Sequence, residues 1–382
     1  MTDAADIAIV GGGPVGTALA LALAGTDVQA VLLESRARTA PVSDGRPLAL
    51  SYGSRLILER LGAWQTPDPG TAIQRIHVSQ RGGFGHVEMS AAEAGLPALG
   101  YVVEYHRVHS VLAAALANAG VPAVYGAQVT AIRGEGAAAE LDYRDARGEC
   151  TLAARVVIVA DGGTVADTAM SITDYRQSAV VGVVKSEVPH RGTAFERFTP
   201  QGPLALLPRG DDLALVWSMD TAAARQRSEE PAERFLGHLG EAFGARLGRF
   251  TAVGARSSFP LSLRIGRAAG PRTAYIGNAA QTLHPVAGQG FNLGLRDAWE
   301  LAEEIRHAER EMLGAPAMLE AWRRRRQFDR RGGTLFTDAL VRVFSNDYPP
   351  LRVARGLALA ALDALPPAKD LLVRRMIFGA RG

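Results

Sequence analysis

Residues 7–16 read IAIVGGGPVG, a short apolar run followed by Gly11, Gly13 and Gly16 in the G-x-G-x-x-G spacing. The surrounding pattern gives that turn its meaning. Asp6 to Val10 reads as a buried strand, Val15 to Ala24 as an alanine- and leucine-rich helix, and Val28 to Leu33 as a second strand ending at Glu34. Strand, helix and strand in that order favour a parallel sheet with a right-handed crossover. The first glycine permits the tight turn, the second lets backbone amides approach a pyrophosphate, and the third lets the helix pack close to the sheet. Glu34 stands where an acid accepts hydrogen bonds from the ribose hydroxyls of adenosine. A glycine turn with a merely solvated Glu34 is the alternative, and the five features together outweigh it. The motif marks a dinucleotide site without separating NAD from FAD, since both carry the same ADP half.

A second glycine-rich stretch, GNAAQTLHPVAGQGFNLGLRD, occupies residues 277–297. Ala274 to Gly277 ends a strand, Asn278 to Gly290 is turn-rich, and Phe291 to His307 is an amphipathic helix. Gly288, Gln289 and Gly290 stand at the start of that helix, where unsatisfied N–H groups and the positive end of the dipole face outward. A two-electron-reduced flavin carries negative charge near N1 and O2, which such amides favour by about 0.3 to 2 kcal/mol. Bare glycines also admit a flat tricyclic ring. The alternative is a helix start in which Gly290 and Asn292 serve only as caps.

Composition closes off several classes. At 382 residues, 47% hydrophobic and 21% charged, the chain is large enough for two or three globular domains. A net charge of +3 gives no case for nucleic acid. One cysteine, Cys150, excludes an intrachain disulfide framework and a cysteine-based zinc site, and no metal site is expected. It fits a reducing, cytoplasmic compartment. No apolar run approaches the roughly 18 residues of a membrane span. Strand-like segments at residues 76–79 and 213–218, with turns at Arg81-Gly-Gly and Arg209-Gly-Asp-Asp, suggest an antiparallel sheet inserted into the first domain. The expected fold is α/β: a Rossmann-like FAD-binding domain from residues 1–70, 100–177 and 265–340, an interleaved antiparallel-sheet substrate domain from 71–99 and 178–264, and a helical C-terminal segment at 341–382.

These residues resemble a family, the flavin monooxygenases of the para-hydroxybenzoate hydroxylase type. Its G-D-A-A-H, Pro, G-Q-G pattern is matched by Gly277-Asn278-Ala279-Ala280-Gln281, His284-Pro285 and Gly288-Gln289-Gly290. The match is similar above all to the ubiquinone-biosynthesis branch acting on polyprenyl methoxyphenols. Gly45-Arg46-Pro-Leu-Ala-Leu-Ser51, Phe195-Glu-Arg-Phe-Thr199 and Gly202-Pro-Leu-Ala-Leu-Leu-Pro208 extend it along the chain. The resemblance implies that Gly11, Gly13, Pro14, Val15, Gly16, Glu34 and Ser35 hold the ADP half of FAD, with Arg107, Val129, Asp161 and Gly162 also at the cofactor. It places Arg46 near the pyrophosphate or ring and Asn278 at ribityl or phosphate oxygens. Gly288, Gln289, Gly290, Phe291 and Asn292 would line the pyrimidine edge. Pro285 would face the ring. Arg46 as a surface charge and Pro285 as a simple turn proline are the alternatives.

The family's A-D-G-x-x-S-x-x-R motif is broken here, with Val165 and Thr168 in place of Ser and Arg, so NADPH is expected as a transient reductant unless another donor replaces it. The implied reaction is ring hydroxylation of a polyprenylated phenol through a flavin C4a-hydroperoxide, with molecular oxygen as co-substrate. No catalytic side chain is assigned: His284, Tyr52, His77 and Tyr175 read as structural. A flavin hydroxylase of a soluble aromatic compound and a silent flavin-fold partner protein in a biosynthetic complex are the alternatives. The basic, apolar segment with Arg352, Arg355, Lys369, Arg374 and Arg375 reads equally as a peripheral contact with the inner face of a membrane or as a helix packed on the flavin domain.

Overall fold

The computed structural model describes residues 4–64, 70–163, 170–284, 288–344, 346 and 348–379. Strand Ala4–Val10 lies inside an eight-stranded sheet, parallel to Ala30–Glu34 on one side and to the end of the long strand Gly148–Val159 on the other. Ala123–Tyr125 and Thr273–Tyr275 extend the parallel part. Ile7 and Ile9 pack into the core beneath helix Pro14–Leu23, while Ala8 and Val10 pack into the opposite layer with Leu141 and Val157. Cover on both faces is why Ile7 to Val10 is an unbroken apolar run. The early half of Gly148–Val159 pairs antiparallel with Ala138–Asp145, which pairs in turn with Gln128–Glu135.

Helix Pro14–Leu23 starts on a proline, whose missing N–H and fixed φ suit a first turn, and continues through strong helix formers. It is buried on nearly every side, packing with Leu112 and Leu116 of helix Tyr105–Ala119 and with Leu295, Ala298 and Leu301 of helix Gln289–His307. Burial of each such leucine stabilises the fold by about 1.5 to 3 kcal/mol.

The second sheet has nine strands. It runs from His86–Ser90 and Arg75–Gln80 through Thr193–Thr199, Gly202–Arg209, Asp212–Asp220 and Ser171–Ser186 to Ser257–Ile265 and Gln281–Thr282, with Phe250–Val253 also on Ser171–Ser186. Its pairs are antiparallel except that between Thr193–Thr199 and Arg75–Gln80. One face is covered by helix Ala232–Phe243, with Trp217, Leu215 and Phe195 packed against Phe235, Leu239 and Phe243. The other face turns inward to a cavity. A third, three-stranded sheet, Pro47–Ser51, Gly100–Glu104 and Thr71–Ile73, joins the two layers. Leu50, Tyr101 and Val103 belong to the first core, and Ile73 and Val102 to a cluster with Met89 and Ala194 of the second sheet.

Helices Pro316–Phe344, Pro349–Ala364 and Pro366–Phe378 follow. They pack onto the protein: Val373 and Ile377 enter the cluster of Ile73 and Met89, and Phe344 stacks on Phe198 with ring centroids 4.1 Å apart. Arg355 corrects the reading of this segment as a basic face. It is buried and donates to the carbonyls of Val343 (2.9 Å), Phe344 (3.1 Å) and Asn346 (3.2 Å), satisfying the end of the preceding helix. Lys369 pairs with Glu93 at 3.1 Å. Among the described residues no helix is long and apolar enough to cross a membrane.

Candidate active site

The glycine turn is fixed by close approaches at some positions and left open at others. Gly11 has φ +106°, and a Cβ there would lie 2.7 Å from Ala160 O; one on Gly16 would lie 2.0 Å from Gly11 O. A Cβ on Gly13 would meet nothing nearer than the Tyr105 hydroxyl at 4.0 Å, so this backbone is bare toward solvent. The helix that begins there has no side-chain cap. Glu34 Oε2 accepts from the Gly12 amide at 2.5 Å, and Oε1 accepts from Arg36 N (2.9 Å) and Nε (2.7 Å). Burial works to raise the Glu34 pKa, but Arg36 and the backbone amides outweigh it and hold the carboxyl below its ordinary range. It therefore stays an ionised acceptor at the mouth of a cleft lined by Gly12, Arg36, Arg38 and His109.

The second glycine cluster lies against the first. Gly277 has φ +58° and sits on Val15, and a Cβ on Gly294 would come within 2.9 Å of Val15 Cγ2. The Gly277 amide donates to Asp297 Oδ2 at 3.1 Å, and Asp297 is held by the fully buried Arg326 at 2.8 Å. Asp161 Oδ1 accepts from Gly163 N at 2.9 Å, holding Gly162 and Gly163 at φ +80° and +90° beside the Asn278 carbonyl. Helix Gln289–His307 starts from Gly288 in the left-handed conformation, again with no side-chain cap, and a Cβ on Gly290 would meet nothing within 4 Å. Two bare, uncapped helix starts against one another fit the two ends of FAD: anionic phosphates at the first and an electron-rich ring edge at the second.

The second start opens on a cavity of about 570 Å³. Arg46, Tyr105, Asn278, Gly288, Gly290 and Phe291 line one part, and the inner face of the antiparallel sheet lines another. Leu340, Phe344, Leu359, Leu362, Leu372 and Met376 of the C-terminal helices complete it. Arg46 is paired with Asp44 at 2.7 Å and lies over the Tyr105 ring at 5.7 Å. His284 also lines the cavity, edge-on to Tyr175 at 5.2 Å, and burial lowers its pKa to about 4, which keeps the imidazole neutral.

Not every expected residue faces these spaces. Asn292 is buried with all four of its amide bonds made: Oδ1 accepts from Ser51 N (2.8 Å) and Ser54 Oγ (2.7 Å), and Nδ2 donates to Ala49 O and Gly288 O (both 2.9 Å). Its side chain holds the ring loop and does not line it. Arg107 is exposed and pairs with Glu104 at 3.4 Å, away from the cavity. Val129 packs against the core that contains Ala127 and Tyr143, and Ser35 is exposed just beyond Glu34. Gln289 lines a smaller neighbouring cavity with Asn292 and Met376. Pro285, Val165 and Thr168 lie outside the described residues. Sequence reasoning gave Glu196 no role, yet it lines the cavity. The signal was the alternation in Phe-Glu-Arg-Phe-Thr, which puts Glu196 and Phe198 on one face of a strand.

A parallel sheet carrying the glycine turn, a second bare helix start, and an apolar cavity roofed by an antiparallel sheet define a flavin-dependent aromatic hydroxylase. Comparison with known proteins makes the class specific. The chain belongs to the FAD binding domain family, whose model matches residues 4–330. It is 36% identical to "Ubiquinone hydroxylase UbiL" of Rhodospirillum rubrum, over 97% of this chain and 89% of that protein. It is 34% identical to the 3-demethoxyubiquinol 3-hydroxylase of Escherichia coli, over 94% of each. Among solved structures, p-nitrophenol 4-monooxygenase PnpA from Pseudomonas putida DLL-E4 shares the fold over 100% of both chains, with a TM-score of 0.78 at 18% identity.

Proposed function

We propose that this FAD-dependent monooxygenase hydroxylates the aromatic ring of a polyprenylated phenol in ubiquinone biosynthesis, with NADPH as reductant. The observation that carries the reading is the lining of the cavity. Its polar end adjoins the flavin cradle, and its remainder is walled by leucines, Phe344 and Met376, a lining that suits a ring with an isoprenoid tail. In this reading residues 1–70, 100–177 and 265–340 hold FAD, and 71–99 with 178–264 hold substrate. When bound, FAD activates molecular oxygen as an electrophile toward the ring. The chain's own residues do the rest. The bare backbone at Gly13 takes the pyrophosphate, Glu34 the ribose, and Asn278 the ribityl chain. Gly288 to Gly290 accommodate the ring, while the sheet and the C-terminal helices exclude water.

Peripheral membrane contact belongs to the same proposal. Val353, Leu357, Leu365 and Leu371 are more than half exposed, and Arg374 and Arg375 are exposed on the last helix. A double variant, Leu357→Glu with Leu371→Glu, leaves the cavity wall in place; undiminished sedimentation with anionic vesicles would remove the membrane contact. The activity itself is tested by NADPH oxidation stimulated by a polyprenylated phenol, with the hydroxylated product identified by mass spectrometry. Equal kcat/KM for a tail-less phenol would replace the lipid substrate with a soluble one.

A further inference from the structure

Strand Thr193–Thr199 alternates between two faces. Phe195 packs its ring on the helix layer, 5.5 Å from that of Phe243, and only borders the cavity, whose wall here is completed by Ala194, Glu196 and Phe198. The register sets Glu196 beside Ala205 on one neighbouring strand and Val78 on the other. Neither side chain offers a hydrogen bond. Oε1 of Glu196 is sealed from solvent and has no partner among the described residues. Burial pushes its pKa up to about 7, and no charged group among the described residues offsets this. The other ionisable groups among the described residues lining the cavity are Arg46, Tyr105 and His284, and none of them pairs with it. A carboxyl oxygen buried without a partner is costly, and a leucine would close the wall without that cost. Its position in an otherwise apolar lining makes it a group waiting for a polar atom of the ligand.

We infer that Glu196 is the phenol-binding residue of the cavity, accepting the hydrogen bond of the substrate's ring hydroxyl and taking its proton as the ring is oxygenated. The inference rests on the proposed reading of the protein as a phenol hydroxylase. The O–H bond breaks, the proton moves to the Glu196 carboxylate, and the electron pair left behind is delivered through the ring to the carbon that gains oxygen, as the O–O bond breaks. That carbon's hydrogen leaves as a proton when aromaticity returns and goes to the second oxygen atom, which departs as water. Glu196 then returns its proton to the phenolate oxygen and ends as it began. Oxygen and reducing equivalents are those of the hydroxylation itself. A base whose pKa lies near the working pH is suited to this exchange.

The test uses the FAD-loaded full chain and, as probe, a nitrophenol whose phenolate absorbs in the visible. At a pH above about 7, where the Glu196 carboxylate forms, and below the probe's own higher pKa, binding to the unsubstituted protein is expected to produce the phenolate band. Glu196→Gln is expected to bind the probe as the neutral phenol, with Kd within a few fold. Glu196→Leu should bind it at least about tenfold more weakly while retaining FAD, because one ligand hydrogen bond to a charged group is lost. In turnover with a polyprenylated phenol, Glu196→Gln should lose about 10²- to 10⁴-fold in kcat, together with the limb of the pH profile near 7. An unchanged phenolate band and pH profile in Glu196→Gln would overturn the inference with the phenol hydroxylase intact. If the unsubstituted protein neither binds nor hydroxylates any phenol, the underlying reading falls and takes the inference with it.

Discussion

Replacing Asn292 with alanine tests whether this residue holds the ring loop. Its amide ties together four backbone and side-chain groups on three elements: Ser51 N–H, the Ser54 hydroxyl, Ala49 C=O and Gly288 C=O, at 2.7 to 2.9 Å. At 2% exposure, water does not replace these bonds in the folded protein. With a net value of about 1 kcal/mol each, the four give an expected loss of about 4 kcal/mol. Asn292→Asp is the sharper variant. It keeps the volume and both bonds at Oδ1 but turns an oxygen toward the carbonyls of Ala49 and Gly288, so at neutral pH it should destabilise at least as much as alanine. Urea unfolding followed by tryptophan fluorescence measures the loss, and the flavin-to-protein absorbance ratio measures the consequence for the cofactor. A loss below about 1 kcal/mol for Asn292→Ala, or an Asn292→Asp protein as stable as the parent, would refute the reasoning.

Glu196 gives a pH-dependent prediction. Its carboxyl has an ordinary value of 4.5 in the unfolded chain and about 7 in the folded one. Below 4.5 both states hold the proton; between 4.5 and 7 only the unfolded chain ionises, so stability is lost as pH rises and stays lost above 7. Relative to Glu196→Gln, the parent should lose about 3 kcal/mol across that window, seen as diverging denaturation midpoints; parallel midpoints would contradict it. Gly16→Ala, whose Cβ would fall 2.0 Å from a backbone oxygen, should yield protein without FAD and with a lowered Tm. Arg326→Met removes the buried cation shared by Asp297, Glu300 and Asp329, which lie within 2.9 Å of the guanidinium, and should cost about 3 to 5 kcal/mol in a thermal melt. Asn278→Asp, at an exposed position on the cavity rim, should retain FAD; a fall in the flavin-to-protein ratio would count against its assignment to the ribityl chain.

The glycine turns were legible in the sequence because their demands are local: a backbone that must be bare or left-handed permits few residues, and Gly11, Gly16 and Gly288 declare it. The interleaving of the sheets was legible from a change of periodicity between residues 7–33 and 71–91. The side-chain roles were harder. Asn292 stands at a helix start, where an amide reads as a cap or a ligand, and only the strand Pro47–Ser51, some 240 residues earlier, shows that its bonds are already made. Arg355 read as part of a basic face until the end of the helix before it supplied three carbonyl acceptors. Glu196 is the extreme case. A carboxyl in an alternating strand ordinarily marks the wet face, and the apolar lining that reverses this comes from two sheets and four helices, most of them distant in sequence.

Residues 51 and 377 are joined by a hydrogen bond from the Ser51 hydroxyl to the Ile377 carbonyl at 3.0 Å, and Gly53 is bare because that same carbonyl lies against it. This sets an order of events during synthesis. All three sheets and the helix Gln289–His307 have left the ribosome while one wall of the cavity, with Leu372 and Met376, is still untranslated. The nascent chain thus completes the flavin cradle before the chamber beside it, and the compartment that must keep water out is sealed last.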